Sequence, residues 1–125
     1  MKIQNKLLEL TNKIQDLVDD KYDLKYSYYP AITISIDKDG VGYLYFVSVN
    51  MYEVGTVTPT HSVHFNMPKG ENKKFSANVF EGRCLIQVLS ALEDHLKYGL
   101  KDLRKIHALE NHLQADLNKL QMPRV

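Results

Sequence analysis

The feature that most constrains the fold is a change of hydrophobic period within one short chain. The period is helical over the first 20 residues, alternating from about residue 30 to 67, and helical again towards the C-terminus. Ile3, Leu7, Leu10, Ile14 and Leu17 recur at spacings of four and three, with Leu8 and Val18 widening the stripe, which predicts an amphipathic helix over residues 1–21. Such a stripe suits either packing on the domain's own sheet or a short coiled-coil seam.

Ile32, Ile34 and Ile36 then alternate with Thr33 and Ser35, as a strand with one buried face requires. Asp37-Lys38-Asp39-Gly40 reads as a hairpin turn, with Gly40 free to take positive φ, and the β-branched and aromatic run Val41 to Tyr52 reads as the returning strand. A third strand follows Thr58-Pro59 and ends at Pro68, its His61, Val63, Phe65 and Met67 alternating with Thr60, Ser62, His64 and Asn66. Both faces of the second strand are largely apolar. A two-residue Asp-Gly loop would place Tyr43 and Tyr45 on the face of the three isoleucines, and a three-residue loop with a bulge at Gly40 would place Leu44 and Phe46 there. The face left over is either covered by a second helix or exposed as an apolar patch.

Ser76 has the chemistry of a helix N-cap, with Phe75 and Phe80 placed to form a hydrophobic staple. Leu85, Val88, Leu89, Leu92 and Leu96 would line that helix as far as Gly99, a residue suited to a left-handed helix end. From Leu100 to Leu120 leucines continue at near-helical spacing until Pro123. The expectation is a single α+β domain over residues 1–125: an N-terminal helix, a three-stranded antiparallel meander over residues 30–67 and a pair of C-terminal helices over residues 76–121 (α-β-β-β-α-α). These helices carry more leucine than a three-stranded sheet can cover, which points to a homodimer paired through the C-terminal helices.

With 44% hydrophobic and 25% charged residues the chain has what a soluble core needs, and no apolar run approaches the length of a membrane span. The net charge is +1, and residues 1–20, 21–75 and 76–125 are each within one charge of neutral. That balance disfavours binding to nucleic acid through phosphate neutralisation alone. The single Cys84 cannot form an internal disulfide, and no secretion signal is recognisable, so a cytoplasmic setting is expected. Cys84, beside Leu85 and Ile86, reads as a core thiol.

Motifs for nucleotide binding, zinc hydrolysis and the nucleophile elbow are missing, so no catalytic residue and no cofactor are assigned. His61 and His64, three apart on a strand, face opposite sides and cannot share a metal. His107 with Glu110, and His112 with Asp116, have helical spacing but suit surface contacts, and no metal site is assigned. Asp37 to Gly40 matches only part of a calcium loop and is explained as a turn.

Two binding readings remain. Four of the eight tyrosines, Tyr22, Tyr26, Tyr28 and Tyr29, precede or open the sheet, and with Tyr43, Tyr45 and Phe46 they suit a protein partner. The candidate partner-binding residues are therefore Tyr28, Tyr29, Tyr43, Tyr45 and Phe46. The alternative is an anion site in which Lys69, Gly70, Lys73 and Lys74 converge with the backbone at Ser76, and Arg83 adds a fork, to hold the phosphate of a nucleotide or nucleic acid. In size and in its richness in Lys, Asn and Tyr the chain resembles small phage-encoded accessory proteins, among them inhibitors of host defence systems. The resemblance rests on no particular residues. It implies an inhibitory or sequestering role in a host-cell cytoplasm. The functional expectation is a non-catalytic, homodimeric interaction module.

Overall fold

The computed structural model describes residues 2–24, 26–68 and 76–106. Among these, helix α1 (Ile3–Lys21) leads into strands β1 (Tyr28–Lys38), β2 (Tyr43–Glu53) and β3 (Pro59–Asn66). Two short strands, β4 (Ser76–Ala77) and β5 (Val79–Gly82), precede helix α2 (Leu85–Leu96), and β6 (Leu100–Lys105) closes the described chain. All six strands belong to one antiparallel sheet.

β2 is the hub. One side pairs along its whole length with β1, from Tyr28 opposite Glu53 to Lys38 opposite Tyr43. Its other side is shared: Asn50 to Tyr52 pair with the start of β3, and Tyr45 to Ser48 pair with β5. The end of β3 pairs instead with β4, Phe65 opposite Ala77 and Asn66 opposite Ser76. β2 and β3 therefore splay apart, and the chain fills the split by running along β3, turning at Asn78 and running back along β2. β6 lies on the far side of β3.

The register puts Ile32, Ile34 and Ile36 opposite Val49, Val47 and Tyr45. This is the parity expected of a two-residue loop, but the connection is the four residues Asp39 to Gly42. The Asp39 carboxylate accepts hydrogen bonds from the backbone N–H groups of Val41 and Gly42 at 2.8 and 3.0 Å, and Gly42, not Gly40, holds the positive φ of 147°.

Both helices pack on one face of the sheet. Leu10, Ile14 and Val18 of α1 and Val88, Leu89, Leu92 and Leu96 of α2 enclose Val47, Val49, Met51, Val63, Phe65 and Phe80. Lys6 and Lys13 of α1 meet Glu93 of α2 at 2.6 and 3.1 Å, and Lys21 Nζ donates to the carbonyls of Leu100 and Lys101. Gly82 lets strand and helix approach closely, since a Cβ there would lie 2.9 Å from Val88 Cγ2. No described helix is long and apolar enough to cross a membrane.

The expected α-β-β-β-α-α order is corrected at two places. Residues 76–82 are strand, so Ser76 is no N-cap and the helix begins nine residues later, at Leu85. Phe80, expected in a staple, is instead a core residue opposite Val47. The helix ends where Gly99 takes φ of 86°, but residues 100–105 beyond it form β6 and not the start of a second helix. Leu100 and Leu103 are three apart, a helical spacing, because the register shifts by a bulge: Leu100 faces Phe65, Asp102 faces His64 and Leu103 faces Val63. The extra residue brings both leucines to the core side. The remainder of the expected C-terminal helix, with the dimer contact placed on it, lies outside the described residues.

Candidate functional site

An open sheet has two edges, and the two here are chemically unlike. β6 is six residues long and carries Lys101, Asp102, Arg104 and Lys105. Charge at that density discourages another strand from pairing. β1 is eleven residues long, and among the described residues only β2 pairs with it. From Tyr28 to Ile36 it has no charged side chain; Asp37 and Lys38 sit at its very end. Pro30, which has no N–H to donate, is tolerated because the strand is an edge. The result is a long outward row of backbone donors and acceptors, interrupted at Pro30 and free of charged side chains as far as Ile36.

The five tyrosine-rich partner residues expected from the sequence do not form one patch. Tyr28 and Tyr45 lie against the core on the helix side, Tyr43 is exposed at the hairpin end, and Tyr29 and Phe46 belong to the opposite face. Tyr29 stacks on its cross-strand neighbour Tyr52, ring centres 5.6 Å apart and nearly parallel. Tyr28 and Tyr29 are therefore the two of the five that lie on the free edge strand, one on each face. No described helix crosses the face that carries Tyr29, Phe46, Leu44 and Tyr52.

The residues of the expected anion site are placed less favourably. Lys69, Gly70, Lys73 and Lys74 lie outside the described residues, as do Phe75 and the His107, Glu110, His112 and Asp116 pairs. Ser76 stands in β4, away from any helix start. Arg83 is turned to the β1–β2 hairpin, where its guanidinium grips Asp39 at 2.7 and 3.2 Å and donates to the Tyr43 carbonyl. That guanidinium, with the two backbone N–H groups, holds the Asp39 carboxyl well below the usual carboxylate range. Cys84 is exposed at the N-cap of α2 and is not a core thiol.

Ser76 instead joins a polar network that sequence reasoning missed. His64, only 7% exposed, has Nδ1 2.9 Å from Ser76 Oγ and Nε2 2.9 Å from Ser62 Oγ. Arg104 donates to Ser76 Oγ at 3.2 Å and to Asp102 at 3.0 Å. Both imidazole nitrogens are spent on hydroxyls and no carboxylate orients the ring, so the network ties β3, β4 and β6 together. Burial, then the Arg104 charge, lowers the His64 pKa, and burial, then Lys105, lowers that of His61. A folded-state pKa below the unfolded value near 6.5 means that the unfolded chain takes up protons first. Stability should be full above about pH 6.5 and fall as the pH drops towards the folded pKa values. Thermal melts between pH 7.5 and 5.5 should show the fall, and His64→Gln should flatten it; a melting temperature independent of pH would contradict this account.

Comparison with protein-family models, curated proteins and solved structures finds no match to this chain.

Proposed function

We propose that this chain is a non-catalytic interaction module whose binding element is the free edge of β1, and that it takes up a strand from another polypeptide there. The carrying observation is the eleven-residue strand bonded on one side only among the described residues, and uncharged from Tyr28 to Ile36. The first polypeptide it fits is a second copy. An antiparallel pairing about a two-fold axis at Thr33 sets Ile32 of one copy opposite Ile34 of the other. Both pairs of helices then stay on the same side of one continuous sheet. Ile36, 57% exposed in the single chain, would gain apolar neighbours. This replaces helix pairing as the route to a homodimer. A foreign strand seated on the same edge would displace the second copy, the form an inhibitory or sequestering role would take.

Thr33→Lys with Ser35→Lys tests the reading. Both side chains lie on the face away from the helices, so the fold should lose little; the substitution at Thr33 sets like charges directly opposite each other across the axis, and that at Ser35, opposite Ala31, adds charge on the diagonal. Sedimentation analysis should show a dimer for the natural chain and a dimer weakened about tenfold or more for the variant. A natural chain that stays monomeric, or a variant that dimerises equally well, would overturn the self-pairing.

A further inference from the structure

The helices leave one end of their own face of the sheet uncovered, and a pocket of about 530 Å³ lies there, within the range of small-molecule sites. His61 of β3 and Lys105 of β6, direct cross-strand partners, line it side by side. Tyr28 stands over His61 edge to face, ring centres 6.3 Å apart, and gives the pocket an aromatic wall. Thr58 and Thr60 add hydroxyls, and Glu53 lines the same pocket from the end of β2.

The charges in this pocket are separated and uncompensated. No described carboxylate comes within ion-pair distance of Lys105. His61 Nδ1 lies 2.9 Å from Thr60 Oγ1, whose proton is committed to the Met51 carbonyl at 3.2 Å. That assigns the Nδ1 proton to the bond with Thr60 and leaves Nε2 without a hydrogen-bond partner among the described residues. Lys105 and the imidazole thus share one side of a concave, partly apolar site, with Glu53 as its acidic member.

We propose that this pocket binds a small organic oxyanion, a carboxylate or a phosphate monoester, with its charged end between Lys105 and His61, its body along the Tyr28 ring and a hydroxyl or amine towards Glu53. An anion beside His61 favours the imidazolium, which then donates from Nε2 as a charge-assisted bond. Binding therefore takes up a proton and strengthens as the pH falls. Lys105 opposes that protonation, Glu53 favours it, and Tyr28 contributes no charge; no described helix residue lines the pocket.

The experiment is an NMR titration of the histidine ring signals with inorganic phosphate and, separately, with benzoate, using His61→Asn to identify the His61 signal. A saturable shift of the His61 signal and an upward move of its titration midpoint are expected with at least one probe. Lys105→Met should weaken binding about tenfold. Preference for phosphate would assign a phosphate monoester, and preference for benzoate a carboxylate. A His61 signal indifferent to both probes, or binding unchanged in Lys105→Met, overturns the proposal.

Discussion

Phe65→Ala should cost about 3–5 kcal/mol, the range for emptying a buried aromatic site. Phe65 is fully buried on β3 and meets the Phe80 ring at 6.3 Å, at the place where β3 is flanked by β4 on one side and β6 on the other. Its loss would open a cavity where three strands converge, so the surrounding backbone cannot collapse into the gap without breaking their pairing. A domain of this size has a total stability of about 5–15 kcal/mol, and the variant should be marginal at 37 °C. Urea unfolding would measure it, and a loss within the ±0.5 kcal/mol typical of surface substitutions would show that Phe65 is not core.

Val47→Pro should be more damaging still. Val47 is fully buried in the middle of β2, paired with Ile34 on one side and with Phe80 on the other. Proline removes a ladder donor, and its ring does not fit a strand flanked on both sides, so the loss should be on the order of 3 kcal/mol or more on top of the lost valine packing. Pro30 shows the contrast, since the same residue is accommodated on β1, where one side has no partner strand among the described residues. Circular dichroism of Val47→Pro should show an unfolded chain at room temperature. A folded variant would mean that β2 does not hold the central position from which the rest of the topology follows.

The elements with simple periodicity were legible. The stripe through Leu10, Ile14 and Val18 marks α1, and the alternation of Ile32, Ile34 and Ile36 marks β1, because each element buries one regular face against the core. The misread elements imitate another period. Leu100 and Leu103 share a face through a bulge, and a bulge cannot be distinguished from a helical turn by spacing alone. Ser76 has the chemistry of a cap but uses its hydroxyl on His64 and Arg104, partners 12 and 28 residues away. β4 and β5 are short because they fill a split between other strands, and no local pattern announces a gap made elsewhere in the chain.

The binding element was hidden for a related reason. The composition of Tyr28 to Ile36 was plain to read, but whether such a strand is central or an edge depends on what pairs with β2 and β3. Once β5 takes the other side of β2 and β6 the outer side of β3, β1 is left among the described residues as the long edge, uncharged from Tyr28 to Ile36. Its own sequence supplied one clue, the proline in its third position. The oxyanion pocket was similarly out of reach, since Tyr28, His61 and Lys105 come together only through the register of four strands.

The most direct test of the account is amide hydrogen exchange across Tyr28 to Lys38, measured at several protein concentrations in the natural chain and in the Thr33→Lys, Ser35→Lys variant. Pairing at the β1 edge predicts that the amides turned away from β2 become protected as concentration rises, and that the variant loses this protection while the amides bonded to β2 keep theirs. Outward amides that exchange freely at every concentration in the natural chain would contradict it.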